Sequence, residues 1–318
     1  MKRKGWLVPI VVFLISIIFL FSYQQKQEVV SFADTTNLPP IIWSEKSTDI
    51  VKVTYEAAGK VTEAVREEDN WSLSTSNNRK ADALYIYNVI TPFLEPLFEQ
   101  VVEVSPSDLT NYGIDDMASS ITLYDEAGHE YKVIKGKAFN EKSDYVYAPL
   151  TDTVYTMSNT AFGSISTNSN DWGSKELLNF ELTNVKKINL TYKGHAATLM
   201  PTITENGIAL ASEELDNRLA NEFMNFLQTA KIQSFITEEA NEHVLSVYGF
   251  NAPLLKCTIH LKTGDTLSLT IGNVNEEENI CYTQVNGRSE IVGIPYFNLS
   301  QFNILYSELH DKDDDRLG

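Results

Sequence analysis

Apolar positions along the chain fall into two registers. Over residues 212–230, Leu215, Leu219, Phe223, Phe226 and Leu227 recur at helical spacing, with Ser212 placed as the N-cap. The stretch "KADALYIYNVITPFLEPLFEQ" (80–100) carries the same kind of stripe, but Pro92 and Pro96 are expected to kink or end that helix early. Elsewhere the period is two. Ile121 and Leu123 face Tyr131 and Val133 across a turn at 126–129. Cys257, Ile259 and Leu261 face Leu267, Leu269 and Ile271 across a turn at 262–265. Glycine in each turn (Gly128, Gly264) with β-branched and aromatic arms predicts two hairpins. Two short strands follow each hairpin, "DYVYA" with "TVYTM" and "ICYTQV" with "EIVGI". A single strand, "VVEV" or "KIQSFI", and a short helix come before it, and each half opens on a strand pair: "IVKVTYE" with "WSLST", "KKINLTYK" with "GIALAS".

These elements occur twice because the sequence does. "LTNYGIDDMASSITL" (109–123) returns 136 positions later as "LSVYGFNAPLLKCTI" (245–259), and Gly128 and Gly136 return as Gly264 and Gly272. "VKVTYE" (51–56) answers "INLTYK" (188–193) at a shift of 137, while "YVYAPL" (145–150) answers "ICYTQV" (280–285), and Phe162 answers Phe297, at 135. Such a period is far longer than a solenoid repeat and implies two duplicated domains. Each is read as an α+β unit, ββ-α-β-α-ββββ, with an antiparallel sheet. Within the short helix Ser105 is placed as N-cap, Pro106 at the first helical position and Asp108 three after the cap, with Gly113 as the left-handed stop. The second copy uses Thr237 as cap, Glu238 and Glu239 in the first turn, and Gly249 as stop. Tyr112 and Tyr248, just before the stops, are read as lids on the core. The first unit is set at 49–165, a Ser/Asn/Gly-rich linker ("STNSNDWGSKE") at 166–184, the second unit at 185–308 and an acidic tail at 309–318.

The first 48 residues give an address. "MKRK" precedes residues 6–23, which carry no charge and as a helix would cover about 27 Å, close to the hydrocarbon core of a bilayer. Trp6 and Tyr23 fall at the two interfaces, and the excess of cations before the span places residues 1–5 in the cytoplasm. The rival reading, a cleaved signal, needs a small-x-small site at the end of the apolar run. The nearest one, Ser31-Phe32-Ala33, is far downstream of Tyr23. Residues 24–48 are then an extracytoplasmic linker, and everything after them is expected outside the cell membrane. The formal charge of −18 repels phosphate backbones, so nucleic acid is not an expected partner. Cys257 and Cys281 fall on the first and third strands of a meander, too far apart to bridge, which favours buried free thiols.

Candidate chemistry is sparse. The five histidines, His129, His195, His243, His260 and His310, show no metal spacing, and none recurs as His in the other copy. No G-x-S-x-G or phosphate-cradling glycine loop is present. The acidic runs Glu67-Glu68-Asp69, Asp115-Asp116 and Glu276-Glu277-Glu278 read as solvated loops, and Asp311, Asp313 and Asp315 as a solvated tail lacking the rest of a calcium loop. Tyr85, Tyr87, Tyr145, Tyr147 and Tyr155 fit cross-strand packing better than a row for sugars or peptides. No catalytic, cofactor-binding or metal residue is therefore designated.

The run from "ADAL" through "VVEVSPSDLTNYGI", a glycine hairpin ending "KG" or "IG", and "YVYAPLTDTVYTM" resembles domain-of-unknown-function family 4340 over most of 50–165 and less cleanly over 185–305. The resemblance implies a bacterial, membrane-anchored exported protein. Some members are encoded beside ABC-type transport systems of the gliding-motility class, which implies an accessory or ligand-engaging role at the outer face. Pro92, Pro96 and the replacement of paired tyrosines by Cys281-Tyr282 depart from the family pattern. The expected function is a non-enzymatic binding or scaffolding subunit, with an envelope hydrolase or carbohydrate-active enzyme using carboxylates as the alternative.

Overall fold

Alternation at period two dominates the chain, and it closes into two antiparallel sheets. The computed structural model describes residues 43–205, 207–213, 216–297, 299–300 and 303. The expected span at 6–23 and the tail at 309–318 lie outside the described residues, among which no helix is long and apolar enough to cross a membrane.

The first sheet contains β1 (Ile50–Ala57), β2 (Lys60–Glu67), β3 (Asn70–Leu73), β4 (Arg79–Lys80), β5 (Phe98–Val104), β6 (Ser120–Asp125), β7 (Glu130–Ala138), β8 (Ser143–Ala148) and β9 (Thr153–Ser158). The second contains β10 (Val185–Tyr192), β11 (His195–Thr204), β12 (Gly207–Ala211), β13 (Ser234–Phe235), β14 (Leu255–Leu261), β15 (Thr266–Asn275), β16 (Ile280–Val285) and β17 (Val292–Pro295). Their spatial orders are β4-β3-β2-β1-β6-β7-β8-β9-β5 and β12-β11-β10-β14-β15-β16-β17-β13. Strand for strand the second order repeats the first, with β4 as the one addition, a roughly duplicated α+β topology.

Each unit opens on a three-stranded meander, to which the first adds β4, where the sequence pattern predicted a pair. β2 lies between β1 and β3, and β11 between β10 and β12. Along β2 only Thr62 and Ala64 are buried, so no apolar alternation announces it. The ββ-α-β-α-ββββ order is corrected accordingly to βββ at the start of the second unit and, with β4, to ββββ at the start of the first.

The equivalences at the two ends also shift. The bulge between Ile50 and Lys52 recurs between Val185 and Lys187, a shift of 135 rather than 137. β8 and β16 share one burial pattern at a shift of 137 rather than 135, which matches Tyr145 to Tyr282. The same shift pairs Phe162 with Leu299, which is fully buried, whereas Phe297 is 64% exposed. A slip of two residues leaves every side chain on its own face, so strand alternation cannot detect it.

The helices are α1 (Ala83–Leu94), α2 (Thr160–Gly163), α3 (Asn217–Thr229) and α4 (Glu242–Val247). Asp82 caps α1 by accepting from the Leu84 and Tyr85 amides; the helix carries Pro92 in its last turn and stops before Pro96. Ile86, Val89, Ile90 and Phe93 form its buried stripe, as Leu219, Phe223, Phe226 and Leu227 do for α3. Asp216 rather than Ser212 caps α3, and Asn241 rather than Thr237 caps α4. In the first unit the short helix is a single 3-10 turn, Leu109–Tyr112, capped by Asp108, while Ser105 takes a left-handed φ of 51° instead of capping.

The duplicated Tyr-Gly and its distant Gly form a lock. Gly113 and Gly249 end their helices at φ of 71° and 84°. A Cβ at Gly136 or Gly272 would collide with the carbonyl oxygen of Tyr112 or Tyr248, so the turn lies directly on the strand. Neither tyrosine is a core lid: both are half-buried, with Tyr112 edge-on to Tyr145 (5.1 Å) and Tyr248 tilted on Tyr282 (4.6 Å). Cys257 on β14 and Cys281 on β16 are buried and unpaired, with β15 between them. Burial pushes both thiols up to about 12, so they remain protonated and inert.

The stretch expected as a linker at 166–184 is an anchor for both cores. Trp172 is fully buried against Tyr55 and Tyr85 in the first, and Leu177 packs into the second. The end of the other expected linker, 24–48, docks too. Trp43 is buried in the first core and its indole N–H donates to the Phe93 carbonyl at 2.7 Å.

Candidate functional site

The sequence candidates scatter. His129 closes the turn after β6, its Nδ1 2.7 Å from Asp125 Oδ2. Asp125 also accepts from the Tyr131 hydroxyl at 3.0 Å, and that hydroxyl lies 3.0 Å from Glu45. Burial pushes the Asp125 carboxyl up, but hydrogen bonds from His129 and Tyr131 outweigh it and hold the group at about 2. Burial and the two carboxylates raise Tyr131. His260 meets Asn189 on β10, His195 starts β11, His243 sits in α4, and His310 lies outside the described residues. All three acidic runs are exposed at turns. Of the tyrosines, Tyr155 is in the core, Tyr85 is tied to the Ser166 amide and Tyr147 to Asp152, so they form no continuous row. Among the described residues no group of three or more His, Cys, Asp or Glu is placed to hold a metal.

What the fold does bring together is cations at the junction of the two units. β4 sets Arg79 and Lys80 on the edge of the first sheet, and the chain leaving the first core returns alongside it. The Ser174 amide donates to the Lys80 carbonyl at 2.9 Å, and single bridges join Ala81 to Gly173 and Glu176 to Lys231. Gly173 is required here, since a Cβ would meet the Phe235 ring of the second unit at 2.7 Å.

Arg79 is the centre of this junction. Its side chain is 1% exposed; Nη1 donates to Asn170 Oδ1 and Nη2 to Glu238 Oε1, both at 2.7 Å. The guanidinium lies 4.0 Å from the Phe235 centroid, and Lys175 Nζ lies 4.5 Å from the same centroid. Arg79 Nε is buried without an acceptor. A buried donor left so costs about 1–3 kcal/mol. Burial, with Arg79 adding to it, lowers the Lys175 ammonium below its ordinary range.

Around this centre Lys80 pairs with Glu176 at 2.7 Å, and Arg288 reaches the Glu176 carbonyl (2.7 Å) and Glu290 (3.0 Å). Asn77 donates across the junction to Ser289 Oγ at 3.1 Å. The cleft between these groups measures about 510 Å³ and runs from Asn70–Ser72 and Asn77–Lys80 to Gly287–Glu290. Its lining offers guanidinium, ammonium, amide and hydroxyl groups, a set suited to holding a polar ligand.

Sequence reasoning missed this site. β4 is two residues long, and Arg79 and Glu238 are 159 positions apart, so no local pattern joins them. Glu238, read as a charge in a first helical turn, is instead the partner of Arg79. The faint signal was a cation pair, Arg79-Lys80, in a strongly acidic chain.

No curated protein and no solved structure matches the chain. A family model does, the domain of unknown function DUF4340, over residues 71–244. The matched span is continuous from β3 to α4 and holds Arg79, Lys175, Phe235 and Glu238, taking in the junction and part of each unit. By that match over more than half its length, the chain belongs to the DUF4340 family.

Proposed function

We propose that the chain is a membrane-anchored extracytoplasmic binding or scaffolding protein, an accessory subunit of an ABC-type transport system or another envelope complex. The observation that carries this reading is the Arg79 junction. A buried guanidinium from the first sheet, clamped by Asn170, Glu238 and Phe235, fixes the second unit against the first. Two sheets held in one orientation offer a fixed surface on which a partner can be positioned. The acidic composition favours basic partner surfaces over nucleic acid or anionic headgroups. The uncharged residues 6–23 supply the tether. Co-purification from gently solubilised membranes is the test. A transporter or envelope subunit should travel with the chain in fixed ratio, and a chain that always migrates alone would sink the proposal.

A further inference from the structure

The junction cleft is built for an occupant that the chain itself supplies only in part. Resting on the reading of this chain as a binding protein, we propose that the cleft takes a small polyhydroxylated carboxylate, a sugar acid, whose carboxylate displaces Glu238 from Arg79.

The argument starts from guanidinium geometry. A planar guanidinium presents Nε–H and one N–H of Nη2 along a single edge, spaced to meet the two oxygens of one carboxylate. At Arg79 only one nitrogen of that pair, Nη2, has a partner. Glu238 places one oxygen 2.7 Å from Nη2, and Nε has no acceptor. The other end is already committed, Nη1 to Asn170. A carboxylate entering with both oxygens would satisfy the whole edge, which the tethered Glu238 does not.

Glu238 is placed to yield. Its side chain is 57% exposed, so its carboxylate regains water on leaving. Its side chain does not line the cleft, but its backbone carbonyl accepts from Ser289 Oγ, which does, so the place it vacates adjoins the cleft and its backbone need not move.

Charge fixes the class of ligand. Arg79, Lys80 and Arg288 each pair with a carboxylate, Glu238, Glu176 and Glu290, and Lys175 lies beside Arg79 on the Phe235 ring. When Glu238 swings out the site loses one negative charge, which a single carboxylate restores and a dianion exceeds. The protein as a whole repels anions strongly, which further disfavours a highly charged ligand. The rest of the lining suits hydroxyl groups: Asn70, Ser72 and Asn78 line one wall, opposite Ser289. At about 510 Å³ the cleft is in the range of small-molecule sites.

The test is isothermal titration of the full-length chain in neutral detergent at low salt with sodium D-glucuronate, D-glucose and inorganic phosphate. Glucuronate should bind saturably, glucose should give no saturable heat, and phosphate should bind more weakly than glucuronate. Glu238→Gln, which keeps the side chain's shape but removes the competing charge, should tighten glucuronate by more than about threefold. Arg79→Lys keeps the charge and loses the fork, and should weaken it by more than about tenfold. If Arg79→Lys fails to fold, shown by a lost melting transition, Glu238→Gln alone decides the matter. No saturable glucuronate binding to either wild type or Glu238→Gln, glucose binding as well as glucuronate, phosphate binding more tightly, or Glu238→Gln leaving affinity unchanged would each overturn the proposal. The titration needs no partner protein, so its outcome is separate from that of the co-purification.

Discussion

In the first unit the core is crowded with rings: Trp43, Tyr55, Trp71, Phe93, Tyr131, Tyr155, Phe162 and Trp172. In the second it is mostly aliphatic, with Tyr192, Phe223 and Phe226 as its buried rings beside two thiols. The first unit ends its sheet on a seven-residue strand, β5, and the second on the two residues of β13. Yet the strand orders agree, and so do the bulge in the opening strand and the glycine lock. Strand wiring is therefore set by where alternation starts and stops and by which turn needs a left-handed residue; many core compositions can fill the result. The elements the units do not share carry the junction. β4 exists only in the first, and without it Arg79 would have no route to Phe235 and Glu238.

The sharpest way to break this comparison is through the segment between the units. Trp172→Ala removes a fully buried indole and should cost about 3–5 kcal/mol, all of it in the first unit. Leu177→Ala, five residues on, should cost about 2–3 kcal/mol in the second. Hydrogen exchange followed peptide by peptide through a denaturant series separates the two. If both substitutions loosen the same unit, the segment is not divided between the two cores.

That segment also shows what the sequence could and could not disclose. "STNSNDWGSKE" is composed like a linker, and only the tertiary fold reveals that its lone tryptophan stacks on Tyr55 and packs tilted against Tyr85, about 117 and 87 positions away. Hairpins β6–β7 and β14–β15 were readable because glycine turns and alternation coincide there. β2 was not, because Val61 is exposed and its buried face is Thr62 and Ala64. The caps were misplaced for a related reason. Ser105, Ser212 and Thr237 are good capping residues, but Asp108, Asp216 and Asn241 lie nearer the true helix starts. The junction was invisible since it joins a two-residue strand to loop residues far along the chain that share no local pattern.

A smaller effect tests the shared lock. Gly136→Ala and Gly272→Ala should each cost about 1–3 kcal/mol, because in both units the new Cβ would push against the carbonyl oxygen of the preceding tyrosine turn. Gly163→Ala, where a Cβ meets nothing within 4 Å, should stay within about 0.5 kcal/mol of wild type. Urea unfolding of the three variants checks this. A large cost in one unit and none in the other would mean that the recurrent glycines do different work in the two copies.

The smallest predicted effect separates the units by acid. The turn of the first hairpin is held by Asp125 with His129 and Tyr131, whereas the matching turn in the second is closed by Thr263 on Asp265 at 2.8 Å, without a histidine. The Asp125 carboxyl is held at about 2, below its ordinary 3.8, so the folded state prefers it ionised. Its contribution is therefore complete above about pH 4 and fades as pH falls toward 2, because the unfolded chain takes up the proton first. Amide protection in residues 120–138, taken relative to the unfolded chain at each pH, should fall across that window before protection in 255–275 does. Asp125→Asn should flatten the first response and leave the second unchanged. If the two hairpins lose protection together in wild type, the carboxylate is not what distinguishes their turns, and the acid response belongs to the molecule as a whole.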